Sequence, residues 1–143
     1  MTAQTIIHDA LFLARKAAPA TKADQQVAQD LLDTLVYHHV ERDGLPAAAG
    51  LAANMIGQSK AIIAVYAGFL PMVMLNPKIV KRAKPYLATE GCLSLSGEKT
   101  TQRFDEITVS YQDRQLQPHV QNFTGFVAET IQHEVDHCQG ILI

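Results

Sequence analysis

The chain has 143 residues, 48% of them hydrophobic and 18% charged, with 12 basic against 14 acidic side chains and a formal charge of −2. A chain of this length buries roughly 70% of the surface its unfolded form exposes, enough for one core without disulfides or a partner, and its apolar content excludes intrinsic disorder. The near-neutral balance gives no general attraction to nucleic acid or to an anionic membrane.

The stretch Ala10 to Ala14 is weakly signal-like, but Asp9 precedes it and Arg15 and Lys16 follow it. That charge order is wrong for export, so the protein is expected in the cytoplasm. Thr21 and Asp24 form a capping-box pattern. Val27, Leu31 and Leu35, with Ala28, Leu32 and Val36, follow at helical spacing, which predicts a helix from Lys22 to His39. Glu41 to Ala49 contains Gly44 and Pro46 and reads as a loop leading into the apolar segment Gly50 to Gly57. Ala61 to Tyr66 and Met72 to Val80 are β-branched runs joined by a Gly-Phe-Leu-Pro turn, hence adjacent strands. The longest largely apolar stretch, Ala61 to Leu75, is broken by Gly68 and Pro71 and is shorter than the ~20 residues of a membrane span.

Alternation at Ile107, Val109 and Tyr111 predicts a half-buried strand, and Leu116 to Phe123 an irregular edge strand containing Pro118. Thr124 is placed to cap a last helix running through Cys138 and closed by Gly140. No repeat or linker divides the chain. The expectation is a single α+β domain over residues 1–143, with strands in the middle and helices early and late.

The densest chemistry is His133-Glu134-Val135-Asp136-His137 on that last helix. Residues four apart share a helical face, so both imidazoles can reach one cation, and Glu134, about 100° around from His133, can reach a water held there. A third ligand is needed. Cys92, in Glu90-Gly91-Cys92-Leu93-Ser94, is the candidate, because a thiolate with two imidazoles leaves a tetrahedral ion one open position. Cys138 follows His137 directly and points some 100° away, so it reads as a packed cysteine. His8, His38, His39 and His119 fit no ligand spacing and read as ordinary histidines.

These residues resemble the peptide deformylase family. That family carries three ordered motifs: Gly-x-Gly-Leu-Ala-Ala-x-Gln, then Glu-Gly-Cys-Leu-Ser, then Gln-His-Glu-x-Asp-His with a glycine three residues on. The third is complete here as Gln132 to His137 with Gly140, the second as Glu90 to Ser94, and the first partly, as Gly50-Leu51-Ala52-Ala53-Asn54-Met55. The resemblance implies a deformylase-like α+β fold, small mixed or antiparallel sheets around a central helix bearing His-Glu-x-x-His. It also implies hydrolysis of the formyl group from the N-terminal formylmethionine of new bacterial polypeptides, with formate released. Cys92, His133 and His137 would hold one divalent ion, Fe²⁺ in the cell, with Zn²⁺, Ni²⁺ or Co²⁺ compatible with the same donors. Glu134 would be the base and the Leu93 N–H an oxyanion donor. Gly50, Leu51, Glu90, Gly91, Phe126, Glu129 and Thr130 would lie along the substrate. The partners implied are formylated N-termini, met near the ribosome, with no direct nucleic-acid or membrane contact. Oligomeric state is not readable.

The chain departs from that pattern at named positions. Met55 stands where the family places its oxyanion glutamine, and a thioether donates nothing. The neighbouring Asn54 has an amide, but in an extended segment it would point to the opposite face unless a bulge re-aimed it. Glu129 occupies a place expected to be apolar in the methionine pocket, and Ala48 replaces the first glycine. Six residues follow His137, which leaves the far end of the helix expected to have little cover. Glu90 reads as a partner that orients a ligating histidine, and Asp136 as a partner of Arg103. Two further readings stay open, a related metalloamidase acting on another formyl or acyl amine, and a metal-binding homologue without catalysis.

Overall fold

The computed structural model describes residues 3–143. The capping box forms as expected, with the Thr21 N–H donating to Asp24 Oδ2 at 2.8 Å. The first turn it caps, Lys22–Asp24, is 3₁₀, and the α-helix α2 runs Gln25–Tyr37, after a short α1 at Ala10–Leu13. Leu31 and Leu35 on the inner face of α2 are fully buried.

Five strands form one antiparallel sheet in chain order: β1 Gly50–Ala52, β2 Ile62–Ala67, β3 Leu70–Gly91, β4 Glu98–Gln112 and β5 Pro118–Thr124. The expected hairpin around Gly68 is present, with Ile63 opposite Met74. β5 is the edge strand its proline called for. The chief difference is length. β3 continues well past Val80, paired with β4 as far as Gly91 opposite Glu98. Register shifts near Lys78 and Lys81 bend it there. Asn76, at φ 52°, holds the first bend: its side chain donates to Ala20 O and Gln112 Oε1 and accepts from the Ala20 N–H. Lys81 to Pro85 is exposed on both faces, so no burial alternation marks it as strand.

The last helix, α3, runs Gly125–Cys138. Thr124 occupies the N-cap position, but its side chain makes no capping bond. The helix is anchored from within instead. β5 ends opposite Glu106, and beyond that point Gln132 takes the place of a strand partner, donating to Phe104 O at 2.8 Å and accepting from Phe104 N at 2.9 Å. Its far end has more cover than expected, because the segment after α1 lies across it. The Ala17 N–H donates to Cys138 O at 2.8 Å, and Gly140, at φ 77°, passes so close to the Ala14 carbonyl that no Cβ fits.

Candidate active site

Two elements meet at the site. One face of α3 carries Phe126, Glu129, Thr130, His133 and Glu134 into a cleft of about 610 Å³, and the end of β3 brings Glu90, Gly91 and Cys92 to the opposite wall. Gly50 of β1 passes closely beneath the helix. A Cβ there would stand 2.7 Å from Thr130 Cγ2 and 3.1 Å from Glu134 Cγ, which accounts for glycine at this position.

Cys92 Sγ, His133 Nε2 and His137 Nε2 converge and form the group of side chains able to hold a metal ion among the described residues. His137 Nε2 lies 3.3 Å from the Cys92 sulfur and 3.3 Å from His133 Nε2. Two nitrogens bound to a tetrahedral ion at about 2.0–2.1 Å stand roughly 3.3–3.4 Å apart, so the spacing fits a Cys-His-His ion site. The donor set, one thiolate and two imidazoles, fits a borderline-soft divalent metal.

Behind the donors runs a chain of ion pairs. His133 Nδ1 donates to Glu90 Oε1 at 2.8 Å, which turns Nε2 toward the cleft. Arg103 holds the same carboxylate with two bonds, of 2.9 and 2.7 Å, and reaches Asp136 Oδ2 at 2.6 Å. Burial works against a charged Glu90, but the bonds from His133 and Arg103 hold its carboxyl below the usual range. Burial would also lower the His133 imidazole, yet its bonds with Cys92 and Glu90 raise it to about 10. His137 is pushed down to about 3 by burial, then by the charges of His133 and Arg103, and is held neutral as a ligand must be.

Glu134 is buried, its Oε1 has no hydrogen-bond partner, and burial raises its carboxyl to about 7. A carboxyl tuned toward neutrality beside three ligand atoms suits a general base. Leu93 and Met55 also line the cleft. The Met55 sulfur accepts from the Ala52 N–H at 3.4 Å and offers no donor.

Several expectations need correction. Asn54 and Met55 lie in a 3₁₀ turn, Ala53–Ile56, not an extended segment. The Asn54 amide is committed away from the cleft, donating to His137 O at 3.0 Å and Leu13 O at 3.4 Å. The Leu51 side chain sits fully in the core and does not line the cleft, unlike Gly50, Glu90, Gly91, Phe126, Glu129 and Thr130. His8 is an exposed histidine outside the ligand set, as expected, and it also borders the cleft, donating through Nδ1 to Ser94 O at 2.9 Å. No sequence signal marks it, since it is 84 residues from Cys92 and only the fold joins them. Cys138 behaves as expected: it is buried, and burial pushes its thiol up to about 12. Asp136 does pair with Arg103.

The family model described as polypeptide deformylase matches residues 4–143. A peptide deformylase of Clostridium beijerinckii is 47% identical over 138 residues, covering 96% of this chain and 97% of that protein. Peptide deformylase 2 of Xanthomonas axonopodis pv. citri is 38% identical over 136 residues, covering 91% of this chain and 78% of its own. Among solved structures, a class I type b peptide deformylase from Acinetobacter baumannii, with Met-Ala-Ser bound, superposes with a TM-score of 0.86 at 26% identity, covering 99% of this chain and 97% of the other. A Legionella pneumophila peptide deformylase gives 0.83 at 30% identity, covering 98% and 83%. The chain belongs to the polypeptide deformylase family.

Proposed function

We infer that this enzyme removes the N-formyl group from the N-terminal formylmethionine of newly made polypeptides, releasing formate and a free amine. The observation that carries this reading is the convergence of Cys92, His133 and His137 at tetrahedral spacing beside the unpartnered carboxyl of Glu134, in a cleft open to a peptide end. A divalent ion held by those three side chains supplies Lewis acidity, lowering the pKa of water and polarising a carbonyl oxygen.

The chain's own residues do the rest. Glu90 and Arg103 fix the His133 ring. Glu134 takes the proton of the attacking water and passes it to the leaving nitrogen as the carbon–nitrogen bond breaks. The Leu93 N–H, directly after Cys92, is the donor to the tetrahedral oxyanion. Gly50, Gly91, Phe126 and Thr130 border the peptide. Met55 leaves the second oxyanion donor out, so turnover is slower than the motif order alone implies.

Fe²⁺ is the proposed ion, with Zn²⁺, Ni²⁺ and Co²⁺ suited to the same donors. The proposed compartment is the cytoplasm, where formylated N-termini emerge from the ribosome. No helix among the described residues is long and apolar enough to cross a membrane. Met55 also favours a second reading, a metalloamidase acting on a different formyl amine. Formate release from formyl-Met-Ala-Ser by Fe²⁺- or Ni²⁺-loaded protein, abolished by Glu134→Ala, is the result expected. Release only from other formyl amines supports the second reading, and none from any substrate overturns both.

A further inference from the structure

The turn that carries Cys92 is thinly tied to the rest of the fold. Residues 92–97 lie between β3 and β4, in no helix or strand, and no main-chain hydrogen bond joins them to a segment outside that hairpin among the described residues. Packing of Leu93 into the core holds part of the turn. Ser94 holds the rest. Its N–H donates to Cys92 Sγ at 3.4 Å, and its carbonyl accepts from His8 Nδ1 at 2.9 Å. The Ser94 hydroxyl is buried without a partner, so the side chain adds no anchor of its own.

His8 can grip that carbonyl because its own main chain is fixed on both sides. The Ile7 N–H donates to Met55 O at 2.7 Å, and Asp9 caps α1, accepting from the Leu11 N–H at 3.0 Å. Consecutive residues thus reach two segments of the cleft wall. Ile7 holds the 3₁₀ turn that contains Met55, and His8 holds the turn that contains Cys92 and Leu93. The segment 7–9 is a clasp between them, and His8 itself borders the cleft.

We propose that His8 is a positioning residue: by gripping the Ser94 carbonyl it fixes the Cys92–Ser94 turn, which keeps the Ser94 N–H on the cysteine sulfur and the Leu93 N–H in place for the oxyanion. Both Ser94 groups belong to one residue, so a shift of its backbone draws the N–H off the sulfur and displaces the preceding amide. A bond donated to a ligating sulfur lowers the charge it offers an ion, as partners behind metal ligands do. The catalytic consequence rests on the formyl-hydrolase reading; the effect on the sulfur does not.

The test uses His8→Ala, which removes the ring, His8→Phe, which keeps a ring without a donor, and His8→Asn, whose amide nitrogen stands close to where Nδ1 does. With Ni²⁺-loaded protein and formyl-Met-Ala-Ser, the first two are expected to lower kcat by about tenfold with KM within about twofold of the wild type. His8→Asn should recover most of that loss. In the Co²⁺-loaded proteins the thiolate charge-transfer band should move to lower energy in His8→Ala and His8→Phe, at unchanged stoichiometry, because the sulfur loses a hydrogen bond. In His8→Asn it should return toward the wild-type position. A role in folding alone would lower the melting temperature and leave kcat and the band where they are. Either readout unmoved in both His8→Ala and His8→Phe overturns the proposal, as does a His8→Asn no better than His8→Ala. Should the wild type release no formate, the hydrolase reading fails, and the band alone decides on the grip of His8.

Discussion

The side-chain amide of Asn54 donates to the main-chain carbonyl of His137 at 3.0 Å and to that of Leu13 at 3.4 Å. Both carbonyls lie in the last turns of helices, where C=O groups lack intrahelical partners, and that of His137 also accepts from the Gly140 N–H at 3.0 Å. Asn54 thus ties two helix ends together, adding a second donor at the end of the helix that carries both histidine donors. Asn54→Ala should cost about 1–3 kcal/mol of stability, because it leaves buried acceptors with fewer partners. A denaturant midpoint equal to that of the wild type would count against this role. Were the amide instead an oxyanion donor, turnover would fall with stability unchanged.

Met55 leads to the opposite expectation. It is buried beside the cleft, and its sulfur is engaged by the Ala52 N–H. Met55→Gln should add a donor and raise kcat on formyl-Met-Ala-Ser by up to about 10²–10³, whereas Met55→Leu should leave kcat near its starting value. No gain from the glutamine would show that the missing amide does not limit the rate.

Gly50 admits no side chain without displacing Thr130 or Glu134. Gly50→Ala is expected to destabilise the protein by about 1–3 kcal/mol and to reduce kcat by shifting Glu134. Thr130→Ser removes the nearest obstructing methyl. The double variant should therefore recover part of the loss, a coupling that additive effects would not produce.

Glu134 makes stability depend on pH in the metal-free protein. Its folded carboxyl is raised from 4.5 to about 7 by burial, so the folded state binds its proton more tightly than the unfolded chain does. That contribution is fully present below pH 4.5 and is lost as pH rises through about 7. Glu134→Gln should abolish this slope and stabilise the metal-free protein above pH 7 by up to about 3 kcal/mol. Parallel stability–pH curves for the two proteins would contradict it. In the loaded enzyme the same group gives an acid limb to kcat/KM, with activity falling as pH drops and Glu134 takes up its proton.

The elements that bury one face were legible from sequence. α2 follows the periodicity from Val27 to Val36, and β4 follows the alternation of Ile107, Val109 and Tyr111. The outer length of β3 was not, because Lys81 to Pro85 forms a two-stranded ribbon exposed on both sides, where nothing imposes a pattern. Spacing brought His133, Glu134 and His137 together on one turn, while Cys92 entered as the thiol best suited to complete the set. The Glu90–Arg103–Asp136 chain was half visible, in the pairing of Asp136 with Arg103. His8 and the true orientation of Asn54 depend on contacts between distant segments, which neither motif nor period encodes.

Cys92, His133 and His137 are expected to bind one divalent ion together. Titration with Co²⁺, followed by its thiolate charge-transfer and tetrahedral d–d absorption, measures this directly. One equivalent is expected to bind per chain, with loss of the charge-transfer band in Cys92→Ser and greatly weakened binding in His133→Ala and His137→Ala. One equivalent bound by Cys92→Ser with the wild-type spectrum would contradict it.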